Sequence, residues 1–331
     1  MHVDEFLEPK ILIVAGKGGV GKTTVAAALA LVAARHGRKV CMAEIDRKGS
    51  LPKLFGGGEV TYDPRELSPG VWGLNIIPED ALAEYLRVQY HMSRISRAFR
   101  STHFVDYITT AAPGLKDILV LGKIWYLEQD RDHGGGRYGF DTIIVDAPAA
   151  GHMATFLRAP QGLADAVRVG PVKRQAEWLN EMLTDSRRSR VHLVTLAEEM
   201  PVVETLETSK ALDKDLGISQ GVVLANGIYS SLLSDEEADE FEKIAADGNI
   251  DELSGVAKAA GVNLDADDLD ALLGYAHFLK VRRGIQSEHL RKLKRGASQP
   301  VIELPFLFSA GLALPDVETL ADVVEEQMEA L

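Results

Sequence analysis

The sequence predicts an α/β fold, a doubly wound and mostly parallel sheet covered by helices, with an inserted α-helical subdomain. Three observations carry this. Short apolar runs recur at residues 11–14, 40–45, 74–77, 142–145, 191–196, 221–225 and 301–304, and most are followed by helical patterns. That alternation fits parallel strands buried on both faces. The first run ends in glycines that open an Ala- and Leu-rich helix, and the fourth ends in an aspartate, Asp146. Both features fall at carboxyl ends of strands, where such sheets bind their ligands.

From the N-terminus, the first strand breaks into AGKGGVGKTT, with Gly16, Gly21, Lys22 and Thr23 at the spacing G-x-x-x-x-G-K-[ST]. Gly16, Gly18, Gly19 and Gly21 allow a tight turn whose backbone N–H groups converge on phosphate oxygens, with Val20 and Thr24 completing the loop. The helix from Val25 to Arg35 faces the same phosphates with its positive N-terminal end. Lys22 is expected to reach the β- and γ-phosphates of ATP, and the Thr23 hydroxyl to ligate Mg²⁺, which takes oxygen donors. The alternative, a flexible glycine loop, does not account for a strand before and a helix after. The core is therefore read as a P-loop NTPase.

Two stretches, about 80–130 and 234–296, read as helical without intervening strands. Because no Pro/Gly/Ser-rich linker divides the chain, residues 1–331 are read as one domain, with these two inserts forming a helical subdomain. In the first, Leu82, Tyr85, Val88, Met92, Ile95 and Phe99 form one apolar stripe. It is either buried on the domain's own core or the wall of a groove for a hydrophobic partner. Between the inserts, FDTIIVDAPAAG places Asp146 at a strand end, where its carboxylate can hold Mg²⁺ through the metal's water shell. Pro148 to Gly151 are expected to form a flexible segment after it.

Lys17, directly after the first glycine, makes the loop the deviant form K-G-G-V-G-K-T. In this the chain resembles the dimeric P-loop ATPases of the deviant type, and Asp146, Pro148, Gly151-His152 and Phe156-Leu157…Pro160 resemble the second switch of their ArsA and tail-anchored-protein targeting branch. The resemblance implies an ATPase acting as a dimer, with Lys17 crossing the interface to the partner's nucleotide. It also implies that Asp46, after the second strand, orients the attacking water. Here the family's Pro-Ala-His gives way to Arg47-Lys48-Gly49, so slow turnover and pairing with a paralogous ATPase subunit are expected alongside the homodimer. Asn226 matches an adenine-binding asparagine, and Pro305-Phe306 a segment flanking the purine. His152 is either a packing histidine or a switch residue. A protein client is implied; a positioning or partition ATPase and a low-turnover assembly factor remain as alternatives.

Composition narrows the rest. A formal net charge of -13 works against nonspecific nucleic-acid binding, and the one basic patch, residues 282–295, reads as a solvated helix face or subunit contact. No apolar run approaches the roughly 18 residues of a membrane span, so no integral membrane segment is expected. The N-terminus lacks a signal-peptide pattern, and cytoplasmic residence is expected. A single cysteine, Cys41, excludes the cysteine sets of the nitrogenase iron protein, the interfacial zinc of the targeting ATPase and the arsenite site of ArsA. The acidic C-terminus, ADVVEEQMEAL, is unlike a basic membrane-docking helix.

Overall fold

The structure, a computed structural model, describes residues 3–45, 49–90, 114–129, 138–230, 237, 243, 250–259 and 261–331. Among them the strands form an eight-stranded sheet. The strands are β1 (Ile11–Gly16), β2 (Val40–Ile45), β3 (Arg65–Ser68), β4 (Val71–Ile76), β5 (Thr142–Ala149), β6 (Ser189–Leu196), β7 (Gln220–Ile228) and β8 (Val301–Pro305). Their order is β3-β4-β2-β5-β1-β6-β7-β8, and every neighbouring pair is parallel except β3 with β4.

All seven apolar runs fall on strands. Their near-continuous hydrophobicity has a direct cause: β1 sends Leu12 and Val14 into one core and Ile11, Ile13 and Ala15 into the other. β3 is the strand that periodicity missed. Its sequence, RELS, is half-exposed or exposed throughout, and a short charged edge strand of this kind discourages pairing with another chain. β5 also runs further than expected, through Pro148 to Ala149, and Ala150 already begins a helix. The expected flexible segment is instead a strand end, where the ladder to β1 shifts register between Val14 and Gly16 and Pro148 is tolerated.

The described α-helices are α1 (Val3–Phe6), α2 (Lys22–Arg35), α3 (Leu51–Phe55), α4 (Pro78–Tyr90), α5 (Leu115–Gln129), α6 (Ala150–Ala166), α7 (Pro171–Thr184), α8 (Glu199–Ala211), which runs on into a π-helical turn (Leu212–Leu216), α9 (Ile250–Ala259), α10 (Ala266–Gly296) and α11 (Leu314–Ala330). One face of the sheet is covered by α2 and α11. The alanines of α2 allow close approach, so Ala26, Ala27, Ala28 and Ala30 are fully buried, while α11 contributes Val317, Leu320, Val324 and Met328 to the same core. Arg35 of α2 pairs with Asp322 at 2.7 Å and Glu325 at 2.9 Å on α11. The other face carries α5, α6 and α7, with Leu121, Ile124, Phe156 and Met182 against the strands.

His192 lies in β6, where the ladder to β7 shifts register. Its ring sits 4.5 Å from that of Phe6, and its Nδ1 accepts the Val222 N–H at 3.2 Å. Burial, and secondarily Arg190, push its pKa down to about 3, so the ring is neutral. Cys41 is buried in β2, where burial pushes its thiol well up and leaves it unreactive.

Several expectations lie outside the described residues: Asp46 with Arg47 and Lys48, the stripe residues Met92, Ile95 and Phe99, and part of the second insert. No described helix is long and apolar enough to cross a membrane.

Candidate functional site

Carboxyl ends of β1, β5, β7 and β8 bring the predicted residues together. The loop from Gly16 to Gly21 joins β1 to α2, which begins at Lys22, nearly a turn earlier than the apolar pattern indicates. Two glycines are required by their surroundings. A Cβ on Gly16 would stand 2.1 Å from the Val194 carbonyl oxygen of β6, and one on Gly21, whose φ is +88°, would stand 2.3 Å from Asn226 Nδ2. Lys22 is buried, and its Nζ donates to the Lys17 carbonyl at 3.0 Å, which folds the ammonium over its own loop.

Across from the loop, Thr23 Oγ1 donates to Asp146 Oδ2 at 2.7 Å. Thr23 stands at the start of α2, and Asp146 is a buried residue of β5. Two oxygen donors held in contact at a helix N-terminus fit Mg²⁺, a hard cation that keeps most of its waters. No nitrogen or sulfur ligand stands between them in this pair, which fits magnesium better than a softer metal.

Lys17 behaves differently from Lys22. Its Nζ lies 2.6 Å from Glu204 Oε1 of α8, with the two side chains 36% and 33% exposed. The two loop lysines are thus divided between the loop's own carbonyl and a carboxylate on a separate helix.

At the far side, Asn226 Nδ2 donates to the Val20 carbonyl at 2.9 Å, so the strand β7 braces the loop directly. Pro305 ends β8 inside the strand, opposite Ile228 of β7, and Phe306 follows with its N–H donating to the Ile228 carbonyl at 2.8 Å. The Phe306 ring stacks on Tyr229 at 4.7 Å between centroids. His152 is an exposed residue of α6.

Three polar side chains that motif reading did not single out organise this end of the sheet. Glu44 is fully buried in β2, opposite Asp146, and accepts the N–H groups of Gly49 at 3.1 Å and Ser50 at 2.8 Å. It ties Gly49 and Ser50, just before α3, back to β2. A lone carboxylate in the apolar run VCMAEI was its available signal. Glu204 and Gln286 had none, since each lies on a helix remote in sequence from its partners.

A profile of the anion-transporting ATPase family, the ArsA ATPases, matches residues 9–173. ATPase BagA of Mycobacterium tuberculosis is 34% identical over 325 residues, covering 96% of this chain and 93% of that protein, and a putative ATPase of Mycobacterium bovis matches to the same extent. The arsenical pump-driving ATPase of Acidiphilium multivorum is 24% identical over 252 residues, covering 70% of this chain and 41% of that protein. With the P-loop and its oxygen donors assembled on a mostly parallel sheet, the chain belongs to the ArsA family of anion-transporting ATPases and is a P-loop ATPase.

Proposed function

We propose that this ATPase is a Mg²⁺-dependent dimeric switch, in which ATP binding and hydrolysis open and close a helical surface on a protein partner. The observation that carries it is the division of labour between Lys22 and Lys17. Lys22 is buried and bonds to a carbonyl of its own loop, whereas Lys17 is held at the surface by an ion pair that can be exchanged. A half-exposed pair of this kind contributes about 0.2–1 kcal/mol, little enough for a partner's nucleotide to displace it. The partner is a second copy or a paralogous ATPase subunit.

In this reading the loop N–H groups and Lys22 hold the β- and γ-phosphates, while Asn226 and the Pro305-Phe306 segment take the adenine. Thr23 and Asp146 hold Mg²⁺, which would offset charge on the phosphate oxygens. Lys17 from the partner adds charge as the γ-phosphoryl group leaves, and Asp46 orients the water. Loss of that phosphate would then bias the switch toward its open form.

A partner-binding role gains support from the helical layer. Leu82 and Tyr85, from the apolar stripe of α4, line a cavity of about 230 Å³ shared with Leu119, Trp125, Leu163 and Trp178 of α5, α6 and α7. A membrane-docking role for the C-terminal helix is disfavoured, because the apolar face of α11 is spent on α2. The test is the variant Asp46→Asn, expressed in cells and purified with its bound proteins. It is expected to hold ATP, to hydrolyse at least tenfold more slowly, and to retain its partner. Hydrolysis at the wild-type rate would show that Asp46 is structural and that the switch reading fails at this residue.

A further inference from the structure

The long helix α10 meets the nucleotide end of the sheet through Phe278 and Arg282, which pack on the Tyr229 ring at 5.7 Å each, and through a side chain that bonds to the backbone there, Gln286. Gln286 is nearly buried, and its Oε1 accepts the Tyr229 N–H at 2.9 Å while its Nε2 donates to the Gly227 carbonyl at 2.8 Å. Because one partner is an N–H and the other a carbonyl, the amide has only one orientation that satisfies both. Gln286 therefore grips the backbone on either side of Ile228, at the point where β7 ends.

The gripped segment is the one that presents the base-binding residues. Asn226 immediately precedes Gly227 and is bonded to Val20 of the P-loop. Gly227 turns the chain at φ +68°, and the place its Cβ would occupy lies 3.5 Å from Leu196 and 3.9 Å from Phe306. Tyr229 carries the stack with Phe306, whose N–H is bonded to the Ile228 carbonyl in between. A continuous chain of hydrogen bonds thus runs from α10 through Gln286, the 227–229 backbone and Asn226 to the P-loop.

We propose that Gln286 is a positioning residue for the nucleoside half of ATP, setting Asn226 and Phe306 in register for the purine and linking the seating of the base to α10. This rests on Asn226 and Phe306 being the base site. The same helix carries Leu272, Tyr275, Phe278, Val281 and Ile285, each at least 39% exposed, and the Phe278 and Tyr275 rings also lie against Tyr229 and Phe308, so a displacement of Gln286 is transmitted along one rigid rod to these residues. Removing the amide leaves the Tyr229 N–H and Gly227 carbonyl without that partner, and the segment relaxes toward others. The phosphate end, built on Gly16 to Thr23, meets this chain of bonds at the Val20 carbonyl and is otherwise shaped by its own glycines and the start of α2, so Gln286 bears on it far less than on the base residues.

The experiment compares the binding of Mg-ATP with that of Mg-tripolyphosphate, which has no base, by titration calorimetry on Gln286→Leu, Gln286→Glu and wild type. Gln286→Glu keeps the acceptor for Tyr229 but faces the Gly227 carbonyl with an oxygen. Both variants are expected to bind ATP roughly 5- to 20-fold more weakly, as loss of one or two hydrogen bonds implies, and tripolyphosphate as wild type does. Equal losses for both ligands, or no loss for either, would overturn the positioning role. Phe306→Ala separates the two claims. If it leaves the preference for ATP over tripolyphosphate unchanged, the base-site reading fails whatever Gln286 does; if it abolishes the preference while the Gln286 variants keep theirs, only the Gln286 inference fails.

Discussion

At the scale of single residues, the P-loop glycines were legible because their spacing encodes a backbone shape, yet the reason for each is visible only in the folded chain. Gly21 is needed because Asn226, 205 positions later, occupies the space its Cβ would fill. Gly21→Ala is therefore expected to cost about 2 kcal/mol or more by chemical denaturation and to remove ATP binding, whereas Gly19→Ala, whose Cβ meets no atom within 4 Å, should be milder despite its positive φ. His192 offers a second residue-scale test. Its folded pKa near 3 lies below its unfolded value of about 6.5, so between these limits the unfolded chain binds the additional proton. Stability from this group is complete above about pH 6.5 and is lost as pH falls toward 3, with a slope of up to about 1.4 kcal/mol per pH unit. Urea titrations of wild type and His192→Gln over that range should diverge from each other by this slope; parallel curves would show the ring to be protonated in the fold.

Among secondary-structure elements, the strands were readable because a central parallel strand is apolar on both faces. β3 escaped because an edge strand obeys a different rule, being short and charged. The start of α2 at Lys22 was displaced for a similar reason: the apolar pattern begins only where the helix reaches the core, while its first turn is given to the loop. Neither Glu204 nor Gln286 could be read, because each owes its role to a contact across the fold, on a helix whose local pattern is ordinary. Packing of α2 on α11 gives an element-scale expectation. Arg35→Ala removes two ion pairs at a half-exposed position, so it should cost only about 0.5–1 kcal/mol in a urea titration, whereas Leu320→Ala, in the shared core, should cost about 2–5 kcal/mol. The reverse ranking would mean that charge, not apolar contact, joins the two helices.

On the scale of the whole molecule, the P-loop, Asp146 and Asn226 meet at one end of the sheet because parallel strands all deliver their carboxyl ends there. This much follows from topology, and it is why the motif, the second acidic residue and the asparagine could be expected at one end of the sheet from a linear chain. The identity of the partner was not, since the surface that would meet it is defined by a second molecule. The account turns on Lys17 leaving Glu204 for another subunit's nucleotide. Its most direct test is the molar mass in solution of wild type and Lys17→Ala, measured by light scattering with Mg-ATP and with ATP plus EDTA, together with each protein's ATP affinity. If this chain pairs with a second copy of itself, wild type should double its mass with Mg-ATP; if its partner is a paralogous subunit, the same doubling should be seen only when that subunit is present. In either arrangement Lys17→Ala should bind ATP within about threefold of wild type yet remain at the monomer mass. A variant that dimerises and hydrolyses ATP as wild type does would contradict the account.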